Sequence, residues 1–204
     1  RAAEQLKELA ELLDVHVVTT LMNRGGFPDN HPLALGMPGM HGNYTAVTAL
    51  QQSDLLITLG ARFDDRVTGK VDAFAPEAKI IHADIDPAEF NKVRAADVAI
   101  QGDVGITITE LIEALKQMGE SLTHPDRTAW KSQISGWKEK FPLVYDEWLT
   151  GEGLKPQYVI EQLRDNTPDD TIVASGVGQH QMWASQFWNF NHPYTWINSG
   201  GLGT

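Results

Sequence analysis

Apolar residues recur at intervals of three and four from Ala2 to Leu13, where Leu6, Leu9, Ala10 and Leu13 fall on one side, and this spacing predicts an amphipathic helix. Val15–Thr20 follows as a short β-branched run and predicts a buried strand. A loop rich in Gly and Pro occupies Asn23–Gly42, and Tyr44–Gln52 reads as a helix. Three further apolar runs predict strands: Asp54–Leu59, which stops at Gly60, then Lys79–Asp86 and the shorter Val98–Ile100. Asp103 stands where an N-cap belongs, ahead of a helix expected over Val104–Met118. Trp130, Ile134 and Trp137 give Asp126–Phe141 a helical period suited to crossing between domains. The last third predicts a helix over Pro156–Asn166, a strand over Thr171–Ser175, the loop Gly176–Gly178 and a strand over Thr195–Asn198.

Strands and helices thus alternate, and the strands are nearly continuous apolar runs instead of half-polar ones. Sheets covered on both faces have this signature, which predicts a doubly wound, parallel α/β fold. The polar break at 119–125 and the run Thr150-Gly151-Glu152-Gly153 divide the chain into a first domain over 1–141, a linker over 142–155, and the beginning of a second α/β domain over 156–204. The chain starts at Arg1 within a helical pattern and ends in the turn Ser199-Gly200-Gly201-Leu202-Gly203-Thr204, so it reads as a piece of a longer protein.

Composition narrows the partners. The 204 residues carry a formal net charge of −11, spread along the chain, which disfavours nucleic acid and anionic membranes. The chain has no cysteine, so disulfides, thiolate metal sites and cysteine nucleophiles do not enter. No apolar run approaches the roughly 18 residues needed to span a bilayer.

In open parallel sheets, ligands bind beyond the carboxyl ends of the strands, so the residues after each strand carry the chemical information. Gly60-Ala61-Arg62-Phe63-Asp64-Asp65-Arg66-Val67-Thr68-Gly69 places two arginines and two aspartates in one strand-end loop. Such a loop can grip phosphate or carboxylate through paired hydrogen bonds, or it can satisfy itself with surface ion pairs. Asp84 and Asp86 end the next strand, Asp84 lying 24 residues after Gly60, loosely where a carboxylate meets an adenosine ribose hydroxyl. The alternative is that Asp84-Ile85-Asp86-Pro87 only caps the following helix, with Asp86 as N-cap and Pro87 at its first position. The G-x-G-x-x-G fingerprint is absent, which argues against an ordinary NAD fold. His41-Gly42 precedes a helix N-terminus that could meet an anion, although a lone histidine there is more often structural. Gly176-Val177-Gly178-Gln179-His180 also follows a strand and opens a helix, while Met182, Trp183, Phe187 and Trp188 have the spacing of core residues. No pair reads as nucleophile and base.

The decamer Gly60–Gly69 resembles the hallmark of the catalytic (large) subunits of acetohydroxyacid synthases, also called acetolactate synthases. Leu35–Gly42, Asp84–Pro87, Gly102–Val104, Gly176–Trp183 and Ser199–Thr204 are similar to segments of that family in the same order, over nearly the whole chain. The resemblance implies a Rossmann-like, FAD-binding central domain followed by the start of a domain that binds thiamine diphosphate. It implies FAD contacts at Thr20, Leu21, Met40, His41, Gly60, Ala61, Arg62, Asp64, Arg66, Val67, Asp84, Ile85 and Asp103. Within that set Asp84 suits the ribose and Arg62 the nucleotide, and the flavin is largely structural. Thiamine diphosphate contacts are implied at Val177, Gly178, Gln179, His180 and Gly203.

The activity implied is decarboxylation of pyruvate on thiamine diphosphate and condensation of the two-carbon unit with pyruvate or 2-ketobutyrate, in branched-chain amino acid biosynthesis. Arg66 is the position associated with the carboxylate of the second ketoacid. No catalytic residue is expected within these 204 residues, and the Mg²⁺ ligands are expected beyond Thr204, so this piece alone should be inactive. Implied partners are the two ketoacids, further copies of the subunit as a dimer or larger assembly, and a small regulatory subunit, in the cytoplasm or in a plant plastid. Rival expectations are a sister enzyme, such as glyoxylate carboligase or pyruvate oxidase, and a non-catalytic nucleotide-binding module.

Overall fold

A computed structural model describes residues 2–146 and 153–200. Its elements are α1 (Ala2–Leu13), α2 (Tyr44–Gln52), β1 (Leu55–Leu59), α3 (Asp65–Thr68), β2 (Lys79–Asp84), β3 (Val98–Gln101), α4 (Val104–Met118), α5 (Thr128–Lys140), α6 (Pro156–Asp165), β4 (Val173–Ser175), α7 (Gln179–Phe187) and β5 (Trp196–Asn198). The fold is mixed α/β with parallel sheets, as the alternating pattern predicts. Among the described residues, no helix is long and apolar enough to cross a membrane. Compact packing divides the chain into one unit of residues 1–15 and 47–136 and another of residues 16–46 and 137–204.

In the first unit the sheet runs β1-β2-β3, with Leu59 level with Ala83 and Asp84 level with Gln101. Because side chains alternate along a strand, each face of this sheet carries its own core. Leu56 and Ile80 join Phe63, Phe74 and Ala75 on one face. Leu59 packs on the opposite face with Leu9 of α1 and Ile108 and Ile112 of α4. The periodic apolar stripes of α1 and α4 therefore form that layer, and Asp103 starts α4 by accepting a hydrogen bond from Ile106 N at 3.1 Å. β2 stops at Asp84, short of the expected Asp86, because Asp86 accepts from Ala88 N at 2.9 Å and turns the chain into a short 3-10 helix with Pro87 at its start.

In the second unit β4 and β5 pair in parallel, and α7 links them. Ala184, Trp188, Phe190 and Trp196 form its core, with Leu21, Ile160 and Val173 packed against them. The strand expected over Val15–Thr20 does not form. Val17 makes an isolated parallel bridge to Ala34, and Thr19 N donates to Gly36 O at 3.1 Å. The facing segment is too irregular to sustain a ladder, since Gly36 takes a positive φ of 84° and Pro38 carries no N–H. The linker run Thr150–Glu152 lies outside the described residues.

Candidate functional site

The level register of the parallel sheet brings the segments after β1, β2 and β3 to one edge. Gly60 N donates to Ala83 O at 2.8 Å and Gly102 N to Asp84 O at 3.0 Å, so the chain leaves each strand beside its neighbour. Pairing brings Gly60 and Ala61, Asp84 and Ile85, and Asp103 to the ends of neighbouring strands, and Arg62, Asp64, Arg66 and Val67 lie in the loop and short helix that follow β1. Gly60 has φ +65°, and a Cβ there would stand 3.2 Å from Val104 Cγ2, so the turn closes against the first residue of α4.

The arginine–aspartate cluster forms one of the surface ion pairs expected of it. Arg62 and Asp64 form an ion pair at 2.6 Å, yet the Arg62 side chain stays 69% exposed, and Asp65 and Arg66 are exposed. Asp64 caps α3 by accepting from Arg66 N at 3.0 Å. That backbone bond, with Arg62 beside it, holds the Asp64 carboxyl below the usual carboxylate range. Asp84 is only 8% exposed; its Oδ1 accepts from Asp86 N at 2.9 Å. Asp86 takes the capping role and Asp84 keeps its second oxygen for other partners. Ile85, 68% exposed, adds an apolar surface to the edge. A cation, a glycine turn, a helix N-terminus, a nearly buried carboxylate and an apolar side chain suit a phosphorylated nucleoside.

The remaining expected positions belong to the second unit. Leu21 O accepts from Trp196 Nε1 at 2.7 Å, Thr20 precedes it, and His41 O accepts from Gln186 Nε2 at 2.8 Å beside an exposed Met40. Val177 and Gly178 follow β4, and Gln179 and His180 open α7. Gly178 adopts φ +155°, and no side chain caps the N-terminus of α7, so its first N–H groups are available to an anion. Gln181 fixes this turn by donating to Asn198 Oδ1 at 2.7 Å and to Gly200 O at 2.8 Å. Gly203 lies outside the described residues.

Two buried groups escaped the sequence reading. Arg24, 5% exposed, donates from Nη1 to Thr19 Oγ1 at 2.7 Å and from Nε to Ser185 O at 3.2 Å, and it pairs with Asp29. Burial pushes the Asp29 carboxyl up, while Arg24 and the N–H of Phe190 pull the other way. Both residues lie in the aperiodic Asn23–Gly42 loop, where spacing carries no burial signal. They border a cavity of about 240 Å³ that Asn43, Lys138 and Gln186 also line. Burial lowers the pKa of the Lys138 amine, which donates to Ala34 O at 3.0 Å. The second group is His82, fully buried on β2, whose two-residue spacing from Asp84 was a legible sign that they share a face.

Comparison with known proteins gives two family matches. Residues 1–111 match the family model of the thiamine pyrophosphate enzyme central domain, and residues 176–204 match that of the thiamine pyrophosphate enzyme C-terminal TPP binding domain. Over its whole length the chain is 57% identical to an acetolactate synthase of Mycobacterium bovis, covering 32% of that protein. It is 53% identical to an acetolactate synthase large subunit of Corynebacterium glutamicum, again over 100% of the chain and 32% of the relative. Identity to the chloroplastic acetolactate synthase 1 of Oryza sativa subsp. japonica is 45%, over 99% of the chain and 31% of the relative. The chain thus spans about a third of the length of these curated relatives.

Proposed function

This chain belongs to the thiamine pyrophosphate enzyme family, and from that premise we propose that the protein it forms part of is an acetolactate synthase. The observation that carries this reading is 57% identity to an acetolactate synthase over the whole length of the chain. The reaction proposed joins a two-carbon unit from pyruvate to a second 2-ketoacid, pyruvate or 2-ketobutyrate. Thiamine diphosphate, when bound, supplies the electron sink for that decarboxylation. This chain's residues supply binding and orientation. The uncapped N-terminus of α7 would meet the diphosphate, with Val177, Gly178, Gln179 and His180 beside it, and Gly203, outside the described residues, is a proposed contact from the sequence alone.

FAD is the proposed occupant of the strand edge. Arg62 suits its phosphates, Asp84 the ribose hydroxyls and Ile85 an apolar ring face, with Gly60, Ala61, Asp64, Val67 and Asp103 shaping the rim. Thr20, Leu21, Met40 and His41 are also proposed as flavin contacts, on the resemblance of the sequence alone. Arg66, exposed in its own unit, is proposed to meet the carboxylate of the second ketoacid. The proposal extends to Mg²⁺ held outside this chain, to an assembly of two or more subunits with a small regulatory subunit, and to a cytoplasmic or plastid location. A domain division at 142–155 is proposed from sequence, distinct from the compact units of the fold.

The test uses the full-length protein. It is expected to purify with flavin and to form acetolactate from pyruvate only when thiamine diphosphate and Mg²⁺ are supplied, while the 204-residue chain alone gives none. Flavin without acetolactate would move the function to a sister carboligase or oxidase. Acetolactate from the isolated chain would remove the claim that its catalytic residues lie elsewhere.

A further inference from the structure

His82 is 0% exposed, and neither of its ring nitrogens has a hydrogen-bond partner. Burying an imidazole in this condition costs stability, because both nitrogens lost their water without replacement. A buried polar group left so in a well-packed core points to a hydrogen bond that is completed when the neighbouring site is occupied. The surroundings of the ring indicate which one. His82 and Asp84 lie two residues apart on β2 and share a face, and His82 Nε2 stands 3.9 Å from Asp84 Oδ2. That gap exceeds a hydrogen bond by about 1 Å. Asp84 Oδ1 is already anchored by Asp86 N, so Oδ2 is the oxygen free to adjust.

The ring is also held by the loops of the candidate site. Phe63, from the arginine–aspartate loop, meets it edge-on at 5.2 Å, and Phe90, from the segment after Asp84, meets it at 5.2 Å on a perpendicular plane. Phe63 has a φ of +55°, a costly conformation for a bulky residue, and it is kept there with its ring buried against His82 and Phe74. His82 thus lies against the loop that carries Arg62, against the segment after β2, and beside the carboxylate between them.

We propose that His82 is a positioning residue of the nucleotide site: its Nε2–H closes onto Asp84 Oδ2 and fixes the carboxylate in the orientation that accepts ribose hydroxyls. Asp84 then has both oxygens anchored from within, Oδ1 by Asp86 N and Oδ2 by His82, with their remaining lone pairs directed at the ligand. This inference rests on the reading of the strand edge as an adenine nucleotide site.

The experiment compares ADP with 2′,3′-dideoxy-ADP on flavin-free, full-length protein, as wild type, His82→Phe and His82→Gln. Wild type is expected to prefer ADP by about tenfold, the scale of one hydrogen bond to a charged group. His82→Phe keeps the aromatic packing and removes both nitrogens, so the preference should fall to about twofold while dideoxy-ADP affinity is nearly unchanged. His82→Gln, whose side-chain N–H can reach Oδ2, should retain most of the preference. His82→Met, also without a donor, gives the same readout should the Phe variant not fold. An unchanged preference in His82→Phe or His82→Met, or an equal loss for both nucleotides, overturns the proposal and makes the histidine purely structural. A wild type that binds ADP without preferring it overturns the proposal and leaves the nucleotide site standing. A wild type that binds neither nucleotide removes the site reading and this inference together.

Discussion

Arg24 and Asp29 show how much a single buried residue can depend on one partner. The two side chains are 3% and 10% exposed, and Asp29 Oδ2 accepts from Phe190 N at 2.7 Å as well as pairing with the guanidinium. Arg24→Ala would leave that carboxylate buried without a countercharge, a change that costs about 3–5 kcal/mol in comparable buried pairs. Urea unfolding of the full-length protein should show a loss of that size, and a loss under about 1 kcal/mol would mean that water reaches Asp29. The pH dependence has a definite sign. Because burial raises the folded pKa of Asp29 above its ordinary value, the folded state holds its proton more tightly than the unfolded chain does. Its contribution to stability is therefore largest below the ordinary carboxylate pKa and declines as pH rises through the folded value. Asp29→Asn does not titrate, so its stability deficit relative to wild type should be smaller at neutral pH than in acid.

At the scale of elements, α4 depends on its first residue. Asp103 supplies the side-chain acceptor for Ile106 N, and its charge stands at the positive end of a 15-residue helix. Asp103→Ala should destabilise by about 1 kcal/mol, while Asp103→Asn, which keeps an acceptor, should cost only a few tenths. Thermal unfolding of the two variants separates capping from charge: equal losses in both would mean that the negative charge, and not the hydrogen bond, stabilises the helix start. α4 matters beyond its own stability because Ile108 and Ile112 pack on Leu9 and cover one face of the sheet. The opposite face, with Phe63, Phe74 and Ile80, carries the buried floor of the loop that holds Arg62 and Asp64. The proposed nucleotide edge is therefore held from both layers, through Val104 behind Gly60 and through Phe63 beneath Arg62.

At the scale of the molecule, the strand-end residues proposed for FAD and the α7 turn proposed for thiamine diphosphate belong to separate sheets, one in each compact unit. ADP at a hundredfold excess over its Kd stabilises whatever unit binds it by about 2.7 kcal/mol. In the full-length protein this should slow hydrogen exchange in β1, β2 and β3. Thiamine diphosphate with Mg²⁺ should instead slow exchange from Gly176 through α7. Protection by ADP confined to α7 would reverse the assignment of the two sites.

The apolar periodicity by itself determined most of the elements and their order: Tyr44–Gln52 and Val104–Met118 fold at the predicted bounds, and Asp86 and Asp103 mark helix starts that local hydrogen bonds create. The grouping of the strand ends was legible too, since parallel pairing makes every strand end on one side a neighbour of the others. The failed strand at Val15–Thr20 was not legible, because a strand needs a regular partner and the segment ending at Gly36 is not one. Tertiary structure alone decided that Arg24 and Asp29 are buried, that segment 16–46 packs with 137–204, and that His82 lies against Phe63, Phe90 and Asp84. Those contacts join residues with no periodic relation along the chain. Burial there is set by what folds over a side chain, and no local pattern of apolar and polar positions encodes that.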